Sequence, residues 1–104
     1  MIDGVRRYLS QQPKYLRERV AVLERERIKG ERPRVEIDAE ITKLQTQLGR
    51  IARYASEANG DDICPDCFSL TGQRHVLLAI NSDDQKFDLF RCGECREIFE
   101  TRIQ

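Results

Sequence analysis

Four cysteines carry the clearest chemistry in this sequence. Cys64-Pro65-Asp66-Cys67 is answered, after the interval 68–91, by Cys92-Gly93-Glu94-Cys95, and no cysteine lies elsewhere. A Cys-x-x-Cys pair makes a tight knuckle whose two thiolates point at one spot, and two knuckles complete a tetrahedron around one Zn²⁺. One pair alone also suits a dithiol redox site, but that use expects a βαβ context and leaves the second pair without a task. A single iron in the same cage is the other alternative. With four sulfur ligands the site is closed, so the zinc is read as structural and not as a Lewis acid. His75 is the only histidine, and four sulfurs already satisfy zinc, so it reads as a strand residue.

No other group of residues makes a reactive site. A Ser/His/Asp set cannot be built around one histidine, there is no glycine-rich phosphate loop, and paired carboxylates fall in turns or on helix faces. The chain is therefore not expected to be an enzyme on its own. Asp83-Asp84 stands in the polar run Asn81–Gln85, where such residues suit a chain reversal through local backbone bonds.

The elements that must hold the cysteines follow from periodicity. Ile2, Val5 and Leu9 have helical spacing up to Pro13, where a bend or fresh start is expected; Leu16, Val20, Leu23 and Ile28 then continue a stripe. Gly30 and Pro33 mark a tight reversal, with Pro33 in the first turn of the next helix. From Arg34, the residues Ile37, Ile41, Leu44, Leu48, Ile51 and Ala55 form a heptad seam that Asn59-Gly60 ends. Two such arms of matched length make an antiparallel, coiled-coil-like hairpin. Charges three or four apart, as in Arg34 with Asp38 or Arg53 with Glu57, mark a solvated face. Tyr8, Tyr15, Val22, Val35 and Tyr54 lie off the seam, and either pack on the second half or pair two copies. A hairpin alone is marginal, which favours a homodimer through the helices.

After Gly60-Asp61-Asp62 the pattern changes to alternation. Arg74–Ile80 and Lys86–Arg91 read as a β-hairpin and Glu97–Ile103 as a returning strand. Knuckle, hairpin, knuckle and strand make a zinc ribbon. The expected fold is α+β, with a helical hairpin over residues 1–60 and a three-stranded antiparallel ribbon over 61–104. About 44 residues cannot fold on apolar burial alone, so metal binding must supply on the order of 10 kcal/mol.

The net charge of zero conceals opposed halves. Residues 1–60 carry 13 Lys/Arg against 9 Asp/Glu, and residues 61–104 carry 5 against 9. An acidic ribbon is a poor match for phosphates, so nucleic-acid binding is not expected of it and would fall to the basic helical half, where glutamates are interleaved. No apolar run is long enough to span a membrane and no secretory leader is read, so the expected setting is the cytoplasm.

Two resemblances add to this reading. The Cys-x2-Cys-x24-Cys-x2-Cys pattern over residues 64–99, with Asp83-Asp84 nine and eight residues before the third cysteine, resembles the C-terminal ribbon of transcript-cleavage elongation factors. That resemblance implies that Asp83 and Asp84 form an acidic tip that enters RNA polymerase and helps hold a catalytic Mg²⁺. The whole-chain layout is similar to bacterial proteins that join a coiled-coil hairpin to a four-cysteine ribbon, among them polymerase regulators and adaptors. The leading expectation is a zinc-binding protein-interaction module. The alternatives are a polymerase-associated factor acting through Asp83-Asp84, and a nucleic-acid binder using the helical half.

Overall fold

The computed structural model describes residues 1–83 and 85–103. Three helices, α1 (Asp3–Lys29), α2 (Arg34–Ala58) and α3 (Pro65–Thr71), are followed by strands β1 (Leu77–Ile80), β2 (Phe87–Cys92) and β3 (Ile98–Arg102). The strands form one antiparallel sheet in the order β1-β2-β3. The fold is thus α+β, a long helical hairpin followed by a small three-stranded sheet, and the molecule measures 52 × 25 × 21 Å. Among the described residues no helix is long and apolar enough to cross a membrane.

α1 runs through Pro13 without a break, against the bend read from the sequence. Proline removes one backbone bond and costs about 3 kcal/mol in a helix interior. Packing on both sides of it offsets that loss: Ile2 and Val5 bury into the core beside the sheet, and Leu16 and Leu23 bury further along the helix. The reversal is as short as expected. Gly30 takes the left-handed conformation at φ 72° and its N–H donates to the Glu26 carbonyl. Pro33 falls one position earlier than expected, as the residue before the first turn of α2, and its carbonyl accepts from the N–H groups of Glu36 and Ile37.

The seam on α2 differs from a strict heptad. Ile37, Ile41 and Ile51 are buried, but the stripe continues through Gln47, Tyr54 and Ala58, while Leu48 is half-buried and Ala55 is exposed. A straight helix drifts about 20° per heptad against a 3.5-residue repeat. The drift turns the end of α2 away from a coiled-coil partner and onto α3 and the sheet. Two apolar clusters result. Leu23, Ile37 and Ile41 hold the far end of the hairpin, with Val20 and Leu44 against them. The larger cluster joins Ile2, Val5, Tyr54 and Ala58 of the long helices to Ile63, Phe68, Leu77, Phe99 and three of the cysteines. This core runs across the junction at residues 60 and 61.

α1 also closes one edge of the sheet. A Cβ on Gly4 would lie 3.0 Å from the Glu100 nitrogen and 3.2 Å from the Phe99 Cα, so only glycine allows the helix to approach β3 this closely. The Asp3 carboxylate accepts from the Arg102 N–H at 2.9 Å, which holds its pKa below the ordinary carboxylate value. Arg7 reaches past the same edge and pairs with Glu100. The opposite edge is partly closed too: the Leu77 N–H donates to the Asp62 carbonyl and Ile63 bridges to Val76.

Candidate metal centre

Cys64 and Cys67 are placed by helix α3, which the sequence reading did not anticipate. Pro65 opens that helix, Cys64 is its N-cap, and the Cys67 N–H points at the Cys64 sulfur at 3.5 Å. Proline suits a first helical turn because its missing N–H has no intrahelical partner there. The first pair is therefore the start of a helix and not an extended knuckle. The Cys64 N–H donates to the His75 carbonyl at 2.7 Å, which ties the helix start to the chain entering β1.

The second pair is a knuckle at the end of β2. The Cys92 N–H donates to the Glu97 carbonyl at 3.1 Å and the Arg96 N–H to the Cys92 carbonyl at 3.0 Å. Arg96 adopts φ 63°, the left-handed conformation for which glycine is the usual residue. Phe68, the corresponding residue after the first pair, is inside α3 and needs no such conformation.

The four Sγ atoms all lie within 4.8 Å of one another, with Cys64 to Cys95 at 3.5 Å and Cys67 to Cys92 at 3.7 Å. A tetrahedron with metal–sulfur bonds of about 2.3 Å has edges of about 3.8 Å, whereas a disulfide needs about 2.05 Å. The sulfurs are spaced to hold a metal ion and are not paired covalently. Cys64, Cys67 and Cys92 are buried and Cys95 is exposed.

The electrostatics distinguish the thiols. Burial pushes the Cys64 thiol far above its ordinary value, against the Cys67 N–H, and pushes Cys67 up to about 12. Burial also raises Cys92, but N–H groups of Cys95 and Glu94 overcome it and bring that thiol down to about 7. Four sulfurs this close cannot all ionise without a cation among them, so binding a metal here would release protons. A divalent thiophile fits: soft thiolates in a four-sulfur tetrahedron suit Zn²⁺. Among the described residues, these four cysteines are the only group of three or more potential ligands gathered within such distances. His75 is not part of it, and its Nδ1 is buried with no hydrogen-bond partner among the described residues.

Tyr8 and Tyr54, which the sequence reading placed only off the seam, brace the centre together with Arg50, to which it gave no role. The Tyr54 hydroxyl donates to the Ile63 carbonyl at 2.5 Å, one residue before Cys64, and its ring meets Phe68 edge-on at 6.0 Å. The Tyr8 hydroxyl donates to Asp66 Oδ1 at 3.1 Å and lies 2.8 Å from Ser69 Oγ, joining α1 to the first cysteine pair. Burial raises both phenols, Tyr54 to about 12 and Tyr8 further. Arg50 donates to the carbonyls of Ser69 and Leu70 at the end of α3. The signal available in the sequence was only that Tyr8 and Tyr54 are apolar rings outside the seam.

Asp83 is exposed in the bend after β1, and Asp84 lies outside the described residues. Comparison with protein-family models, with curated proteins and with solved structures finds no match to this chain.

Proposed function

We propose that this chain is a zinc-stabilised protein-interaction module, in which one Zn²⁺ held by Cys64, Cys67, Cys92 and Cys95 fixes a small sheet to the base of a helical hairpin. The observation that carries this reading is the position of the cysteines inside the core that both halves share. Three of the ligands are buried among Tyr54, Phe68 and Phe99, so the metal's task is to hold the fold. Four protein ligands leave no open coordination position for a substrate or water. A cytoplasmic setting, where thiols stay reduced, suits such a site.

The helices supply reach and a face for a second copy. Tyr15 and Val35, exposed at 60% and 81%, support that face, whereas Tyr8 and Tyr54 are used inside the molecule. The test is metal analysis of protein purified without added metal, followed by capture of host proteins with wild-type chain and with Cys92→Ser. One Zn²⁺ per chain and a partner lost with the variant are expected. Two disulfides, or a sheet that stays folded with chelator, would overturn it. Light scattering that finds a monomer at micromolar concentration would remove the second copy. The polymerase reading is tested in the same capture, with Asp83→Asn/Asp84→Asn protein assayed for stimulation of transcript cleavage.

A further inference from the structure

The strand register separates the two faces of the sheet. Opposed residues share a face, and faces alternate along each strand. Leu77, Phe90, Cys92 and Phe99 point into the core. Leu78, Ile80, Phe87, Leu89 and Ile98 therefore point the other way, and Leu78 and Ile98 are 60% and 49% exposed there. No element among the described residues packs over them. Part of this face is a groove of ≈ 520 Å³ floored by Phe87 and Leu89 and bounded by Arg7, Glu100 and Ser82.

Charge on this face runs opposite to the half of the chain that builds it. Residues 61–104 carry nine acids against five cations. Only one of those acids, Glu100, is a strand residue on the outer face, and Arg7 neutralises it. Arg91 and Arg102 share the face, are exposed, and form no ion pair among the described residues. An apolar surface of this kind with two uncompensated cations is complementary to apolar side chains flanked by carboxylates. A second copy stacked face to face would instead set arginines against arginines.

The edges exclude a partner that docks by adding a strand. β3 is covered by Asp3 and Gly4 of α1, and β1 is covered at its start by residues 62–63, leaving little more than Ala79 free. The partner must engage through side chains laid on the face. Strands of four to six residues at about 3.3 Å each, with neighbours about 4.8 Å apart, give a platform of roughly 13–20 Å by 10 Å, enough for about three turns of helix.

We infer that the outer face of the sheet is a docking site for an acidic amphipathic helix of a partner protein, whose apolar stripe covers Leu78, Leu89 and Ile98 while its Asp or Glu residues meet Arg91 and Arg102. This rests on the interaction-module reading and names its surface and partner chemistry.

The test pans the zinc-loaded full chain against a displayed library of random 16-residue peptides and measures binding of the selected synthetic peptides by fluorescence anisotropy. Selected peptides should carry Leu, Ile or Phe at helical spacing with an excess of Asp and Glu, and should bind more weakly as salt rises. The exposed-site variants Leu78→Ser/Ile98→Ser and Arg91→Glu/Arg102→Glu should each weaken binding ten-fold or more with zinc content and circular dichroism unchanged. Absence of enrichment, peptides without acidic excess, or binding indifferent to both variants would overturn the proposal. So would a dimer that Leu78→Ser/Ile98→Ser dissociates, because the occupant would then be a second copy. The underlying module reading fails on a different result, a sheet that stays folded in chelator.

Discussion

Tyr54→Phe tests whether the helical hairpin supports the metal centre. The substitution keeps the ring that meets Phe68 edge-on and removes only the hydroxyl that donates to the Ile63 carbonyl. Tyr54 is 2% exposed and Ile63 3%, so that carbonyl has no ready access to water in place of the phenol. A buried acceptor left without its donor costs about 1–3 kcal/mol. Ile63 directly precedes Cys64, so the bond fixes the chain where it enters the four-sulfur cluster. The loss therefore falls on the loaded form, and about 1.4 kcal/mol lowers apparent zinc affinity about ten-fold. Competition against a chromophoric chelator at neutral pH measures this, with urea unfolding of the loaded protein as a second readout. Tyr15→Phe, which changes an exposed ring, should leave both unchanged. A Tyr54→Phe protein with wild-type zinc affinity and wild-type urea midpoint would refute the idea that this bond braces the site.

Removing the metal should remove on the order of 10 kcal/mol of folding free energy from the sheet and loosen the hairpin's base, because Ile2, Val5, Tyr54 and Ala58 share its core. Hydrogen exchange with and without chelator should show lost protection over residues 63–102 together with the first turns of α1 and the last of α2; unchanged protection at the hairpin base would contradict the shared core. Gly4→Ala and Gly49→Ala should have opposite signs in thermal unfolding. The first drives a Cβ to 3.0 Å from the β3 backbone and should destabilise by about 1–3 kcal/mol, while the second meets only the Arg53 side chain at 3.4 Å and should gain about 0.5–1 kcal/mol from helix propensity. Alkaline pH should unfold the chain through its buried phenols. A folded pKa raised above the ordinary value of 10 to about 12 at Tyr54 gives stability that is complete below pH 10 and lost as pH rises toward 12, which Tyr54→Phe should lessen in a titration followed by circular dichroism.

The residues of the metal centre were legible because each cysteine pair is local: two intervening residues fix how far apart two sulfurs can lie, whatever surrounds them. The hairpin was legible for a similar reason. Gly30 and Asn59 end their helices in the left-handed conformation, at φ 72° and 51°, and that preference belongs to the residue itself. Strand alternation likewise marked three strands, although β1 starts later than read, β2 is shifted by one residue to end on Cys92, and β3 is shorter by one residue at each end.

Other features depended on what lies far along the chain. Pro13 reads as a break, but contacts made by Ile2 and Val5 on one side and Leu16 and Leu23 on the other hold α1 continuous. The heptad from Ile37 to Ala55 reads as a coiled-coil seam, but a 3.6-residue helix that meets a sheet at its end presents Tyr54 and Ala58 instead. Pro65 gives a local reason for α3 to start, yet its seven residues are too few to persist alone, and Arg50, Tyr8 and Tyr54 hold it against the long helices. Sequence alternation also shows that a strand has two faces without saying which is covered. Only the close approach of Gly4 to Glu100 and the joined core place one face inside and leave Leu78, Arg91 and Ile98 outside, because that choice is made by packing between segments nearly a hundred residues apart.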